Sequence, residues 1–165
     1  MSLTAAQRRT LLRHPAGWIA SGFGAGLSPV APGTVGSAVA LLPWLWLRDL
    51  PLSAYFGVVL AVFVLGIWVS RTLVARLRVE DPGWIVIDEF VGQWLALAFA
   101  PPGWFWLVVG FLLFRLFDVW KPWPVSWADR RVGGGLGVML DDALAGALAG
   151  AALAAAAWVA TGFPA

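Results

Sequence analysis

Three stretches without a charged side chain constrain this chain of 165 residues more than any other feature. Residues 50–70 give 21 uncharged positions between Asp49 and Arg71, residues 90–114 give 25, and residues 143–165 give 23. About 20 apolar residues in a helix cross a hydrocarbon core of about 30 Å. Hydrophobic side chains make up 61% of the sequence, against roughly 45–50% in soluble domains, and mean hydropathy is +0.83. Twelve tryptophans, many near the ends of apolar runs, suit the aromatic belt at a lipid–water boundary. The chain reads as one membrane domain, residues 1–165, with no low-complexity linker.

Helix breakers divide the runs. Pro101-Pro102-Gly103 interrupts residues 90–114 as a stop and a turn, which predicts a helical hairpin with arms over residues 84–100 and 104–120. The short apolar segment 34–47 reads as the first arm of another hairpin, turning at Arg48-Asp49-Leu50-Pro51. An alanine-rich helix over residues 143–165 closes a compact helical membrane domain of about five to six helices. Residues 1–15 are basic and lack a signal-peptide core, so residues 1–21 are expected to be an uncleaved basic leader. With that leader inside, ten of the eleven basic residues fall on one side and only Arg48 on the other. The positive excess marks the cytoplasmic side.

Composition removes several chemistries. Without cysteine there is no disulfide, thiolate zinc site or cysteine nucleophile. His14 is the single histidine, so a histidine-rich metal site cannot be built. The pI near 9.9 comes from eleven basic residues, ten of them arginine. On a membrane protein that rim faces anionic head groups rather than nucleic acid.

Six of the nine carboxylates stand at four places inside apolar sequence: Asp88-Glu89, Asp118, Asp129 and Asp141-Asp142. A charge in lipid costs roughly 2.5–3.5 kcal/mol on insertion scales, so such groups face a wet cavity or bind something positive. The proposed path brings all six to the cytoplasmic end. Oxygen ligands without histidine or cysteine suit magnesium or manganese, not zinc, and the candidate ligands are Asp88, Glu89, Asp118, Asp141 and Asp142. Asp141-Asp142 also fits a helix N-terminus, where acids are favoured. Gly146 and Gly150, with Ala145 and Ala149, follow that pair at helical spacing and permit close backbone approach.

Arg115 and Asp118 share a helix face, three residues apart, and Lys121 follows one turn on, before Pro122. A self-neutralising pair with Lys121 at the interface accounts for these three alone. With the other carboxylates nearby, a mixed site is expected, in which carboxylates hold a divalent cation and Arg115 and Lys121 face a phosphate. Asp129 precedes Arg130-Arg131 and the run Gly133-Gly134-Gly135-Leu136-Gly137, which could present backbone N–H groups to an anion at a helix start. Thr34 and Ser37 either cap the first apolar helix or touch a phosphate.

The loop from Ser28 through Pro32-Gly33-Thr34-Val35-Gly36-Ser37 resembles the N-terminal signature of the phosphatidylglycerophosphatase A family, and so does Asp88-Glu89-Phe90-Val91-Gly92. The block from Arg115-Leu116-Phe117-Asp118 through Lys121-Pro122-Trp123-Pro124, Asp129, Gly133-Gly134 and Gly137-Val138-Met139 to Asp141-Asp142 and Ala145-Gly146 matches in order and spacing. The resemblance covers residues 22–150. It implies an all-α fold, with residues 22–162 as the catalytic domain, and a magnesium-dependent lipid phosphatase of the bacterial inner membrane. The implied reaction converts phosphatidylglycerophosphate to phosphatidylglycerol and inorganic phosphate.

In that reading Asp129, Asp118 and Lys121 are catalytic, and Arg115, Lys121, Thr34 and Ser37 bind substrate. Three other classes compete. A proton or ion transporter would string its carboxylates across the membrane. A phosphatidyltransferase would array its aspartates on one helix. A phosphatase of another lipid or soluble phosphate would share the same mechanism.

Overall fold

The computed structural model describes residues 5–77 and 83–162. Among the described residues the chain is all-helical: α1 (Ala5–Arg13), α2 (Pro15–Ala20), a 3-10 turn (Ala25–Leu27), α3 (Pro32–Leu47), α4 (Leu52–Leu77), α5 (Ile87–Leu97), α6 (Trp104–Trp120), α7 (Val125–Arg131) and α8 (Gly134–Thr161). Eight α-helices exceed the five to six expected. Two of the additional ones lie in the basic segment 1–21, where His14 caps α2 by accepting the Ala16 N–H at 3.2 Å. The third, α7, is only seven residues long and follows two prolines. Arg78, counted above among the basic residues, and residues 163–165 of the alanine-rich run lie outside the described residues.

α5 sits at the centre. Nine of its eleven residues are buried, including Glu89 and Gln93, and it packs against α8, α3, α6 and α4. At about 16 Å it is too short to cross the hydrocarbon alone. The expected arm over residues 84–100 is therefore cut at both ends. Val86 donates its N–H to the Ala20 carbonyl at 2.8 Å, which ties residues before α5 to the end of α2, and Ala98 begins the turn. Its partner α6 runs over residues 104–120 as predicted and packs on α5. The turn at Arg48-Asp49-Leu50-Pro51 is also where α3 ends and α4 begins. Yet α3 packs mainly on α5, and α4 on α8, α2 and α5, so these neighbours are not a tightly packed pair. α3 finds its main partner in the central helix, and α4 finds its own in α8.

α8 starts nine residues before the uncharged run that forecast it. Gly133 is its N-cap, and Asp141 and Asp142 lie two turns inside it rather than at its start. The small faces work as expected: Ala145 and Ala149 are fully buried. A Cβ on Gly146 would collide with the carbonyl of Gly92 in α5, and one on Gly150 would lie 2.8 Å from the Leu95 carbonyl oxygen. Two helices, α4 over Leu52–Arg76 and α8 over Gly134–Ala160, are long and apolar enough to cross a membrane. Their outer faces leave Leu60, Val64, Trp68, Trp158 and Val159 exposed.

Candidate active site

The start of α5, the end of α6, Asp129 of α7 and the start of α8 meet at one end of the bundle, around a cavity of about 510 Å³. Asp88, Glu89, Asp118, Asp129, Asp141 and Asp142 all line it, with Lys121. Every carboxylate singled out in the sequence thus reaches the same space. Local causes place each one. Asp88 and Glu89 occupy the first turn of α5, where the helix dipole favours acids. Asp118 ends the apolar helix α6. Lys121 stops that helix in the left-handed region, φ 50 and ψ 57, immediately before Pro122, which disfavours a helical predecessor.

The charges sort into two clusters. In the inner one, Arg115 Nη1 pairs with Glu89 Oε2, lies 2.9 Å from Asp118 Oδ2, and donates to Ser37 Oγ at 3.2 Å. The buried Ser37 hydroxyl donates to Glu89 Oε2 at 2.6 Å. In the outer one, Lys121 Nζ pairs with Asp129 and lies 2.7 Å from Asp141 Oδ2. Partial burial works against the Lys121 ammonium, but its hydrogen bonds to Asp129 and Asp141 outweigh that and raise its pKa above the usual lysine value. Asp88 accepts the Glu89 N–H at 2.9 Å.

Two expectations about substrate contacts change. Arg115 does not line the cavity; it stands behind the wall and neutralises Glu89 and Asp118. Ser37 is likewise a support for Glu89, and Thr34 is exposed outside the cavity. Neither residue caps α3, whose N-cap is Ala31 without a side-chain bond. Gly33 was passed over in the sequence. It lines the cavity, and a Cβ there would fall on Glu89 Oε1. The sequence signal was present: a glycine directly after the first proline of a helix, where a side chain has no structural reason to be missing. Gly133, Gly134 and Gly137 line the opposite wall at the start of α8.

Six carboxylates line this cavity, while only Lys121 and Arg115 pair with them. Asp141 Oδ1 and Asp142 Oδ2 are buried without a hydrogen-bond partner, and Asp142 lies within electrostatic reach of Glu89, Asp88, Asp118 and Asp141. Such a donor set, all oxygen and rich in charge, fits a hard divalent cation. Among the described residues no three carboxylates already form a cage, because Glu89, Asp118, Asp129 and Asp141 each hold an arginine or lysine.

The phosphatidylglycerophosphatase A family model matches residues 18–157. Phosphatidylglycerophosphatase A of Escherichia coli (strain K12) is 42% identical over 144 residues, covering 87% of this chain and 84% of the relative. The Haemophilus influenzae protein of the same name is 39% identical over 140 residues, 84% and 86% of the two chains. A Bacteroides thetaiotaomicron relative, described as a candidate phosphatidylinositol-3-phosphatase, is 42% identical over 149 residues, 86% and 92% of the two chains. No solved structure matches the chain. With a family match from residue 18 to residue 157 and two similar relatives of that name, the chain belongs to the phosphatidylglycerophosphatase A family.

Proposed function

We propose that the protein removes the terminal phosphate of phosphatidylglycerophosphate, releasing phosphatidylglycerol and inorganic phosphate. The observation that carries this reading is the cavity where six carboxylates and Lys121 meet, on a chain of this family. Asp88, Asp118, Asp141 and Asp142, with Glu89 behind them, would hold magnesium. Bound there, the metal would draw charge from the phosphoryl oxygens and lower the pKa of a coordinated water. Lys121, fixed between Asp129 and Asp141, supplies a cation to the phosphoryl oxygens as negative charge builds on them. Asp129, exposed beside it, orients the attacking water and takes its proton. The water oxygen bonds to phosphorus, the bond from phosphorus to the glycerol oxygen breaks, and that oxygen leaves with the proton as a hydroxyl.

Helix lengths support a site at the membrane surface. The 28 residues of α8 span about 42 Å, roughly 12 Å more than the hydrocarbon core. Setting residues 134–142 above the hydrocarbon leaves an apolar remainder close to its thickness, with the acid pair at the boundary. The family suggests a bacterial inner membrane, and the excess of basic residues supports its cytoplasmic side for this end. A head group there reaches the cavity while its acyl chains stay in lipid.

The Bacteroides relative makes a 3-phosphorylated inositol lipid the alternative substrate. Purified protein in neutral detergent, assayed for phosphate release over a panel of lipid phosphates with and without magnesium, tests both. Fastest turnover of phosphatidylglycerophosphate, dependent on magnesium, is expected. Faster turnover of the inositol lipid or of a soluble monoester would replace the proposed substrate.

A further inference from the structure

α7 has two working faces, and the site described above uses only one. Val125 and Ala128 are buried, and Asp129 turns inward to Lys121. Ser126, Trp127, Arg130 and Arg131 of α7, with Trp123 from the turn before it, surround a separate cleft of about 220 Å³. Within α7, Trp127 stands three residues before Arg130 and four before Arg131, so these share a side of the helix, and Trp123 joins them from the turn ahead of it. Trp123 is 80% exposed and Trp127 51%. Arg130 and Arg131 are exposed, and among the described residues neither has an ion-pair partner. Two free guanidinium groups beside two indole rings invite an anion attached to an apolar body. Arginine grips phosphate oxygens in pairs, and indole rings settle where head groups meet acyl chains.

The substrate proposed above carries two phosphates, a terminal monoester and a phosphodiester, joined by a bridge of three carbons. Consecutive residues of α7, Asp129 and Arg130, face the two spaces. We infer that the cleft lined by Trp123, Ser126, Trp127, Arg130 and Arg131 docks the phosphodiester of the lipid substrate, while the terminal phosphate enters the cavity at Lys121. This rests on the substrate being a lipid that bears both groups. The cleft is then the element that separates such lipids from phosphatidic acid and from soluble monoesters, which offer only one phosphate.

Short-chain phosphatidylglycerol has the diester alone, and inorganic phosphate stands in for the terminal group. Their binding to the full chain in neutral detergent is measured by titration calorimetry, for the native protein and for Arg130→Ala/Arg131→Ala. Both side chains are exposed, and thermal unfolding in detergent checks that the variant is folded. The variant is expected to bind phosphatidylglycerol about tenfold or more weakly, the loss of one charged hydrogen bond or more, with phosphate binding unchanged. Equal phosphatidylglycerol binding by both proteins, or parallel loss of both ligands, would overturn the inference. If native protein fails to hydrolyse phosphatidylglycerophosphate yet binds phosphatidylglycerol through these arginines, the substrate reading falls and the docking site stands.

Discussion

Arg115 of α6 reaches to α5 and pairs with Glu89, 26 positions earlier in the chain, with Ser37 bonded to both. The two side chains are 17% and 9% exposed, so this is a buried pair that holds α5 against α6. Removing one partner strands the other charge. Arg115→Ala is expected to cost about 3–5 kcal/mol of stability, read as a large drop in thermal unfolding temperature in detergent. Arg115→Ala/Glu89→Gln should recover much of that loss. A single variant as stable as the native protein would show that the pair is not structural.

Lys121 gives a contrasting variant. Lys121→Ala is expected to fall about 100-fold or more in rate, with little change in unfolding temperature, because the side chain lies at the cavity rather than in the packed core. Asp129→Asn should also lose rate, since it removes the acceptor while keeping the shape. A native rate in either variant would remove that residue from the reaction.

The raised pKa of Lys121 sets a pH expectation. A lysine raised on folding contributes stability in full below its unfolded value of about 10.4, and loses it only as pH rises through the higher folded value. Lys121 therefore stays charged across neutral and mildly alkaline pH. Any fall in rate between pH 7 and pH 9 should persist unchanged in Lys121→Arg. A limb that moves with that substitution would contradict the assignment.

Metal removal can be read without turnover. Manganese bound by the native protein, followed by electron paramagnetic resonance, should be displaced by magnesium and weakened in Asp142→Asn, whose native carboxylate has an unpartnered buried oxygen. Phosphate release should stop in excess chelator and return with magnesium. Undiminished turnover in chelator would rule out the metal.

Packing supplies a further test. Gly146→Ala puts a methyl group onto the Gly92 carbonyl and should cost about 1–3 kcal/mol. Gly57→Ala, with nothing within 4 Å of the added carbon, should be neutral or slightly stabilising. Equal effects of the two changes would mean that α5 and α8 do not meet closely.

The convergence of the acids was legible because charges embedded in apolar sequence must share a wet space. Pro101-Pro102-Gly103 announced its turn equally well. The start of α8 was half legible: the glycine run from Gly133 suggested a helix start, and α8 does begin there. The uncharged run pointed instead to residue 143, and Asp141-Asp142 looked like the boundary, although a carboxylate facing a cavity does not end a helix. The spacing of Arg115 and Asp118 was visible, whereas Glu89 as the other partner of Arg115 depends on how α5 and α6 pack. α7 had no periodic stretch long enough to reveal it between Pro124 and the glycine run. The separate packing of α3 on α5 and of α4 on α8 depended on helices that neither segment specifies alone.

Below the acidic cavity, Phe114 is fully buried, and it crowds Gly92 so closely that a Cβ there would strike the ring. Gly92 in turn touches Gly146, and Leu97 and Leu153 fill the next layer. Phe114, Leu97 and Leu153 thus make an apolar floor beneath the acids, broken by Gln93, whose buried amide has no hydrogen-bond partner among the described residues. In the proposed reaction that floor would work as a depth gauge: a phosphorylated head group could descend to the acids and no further, whatever the length of the acyl chains outside.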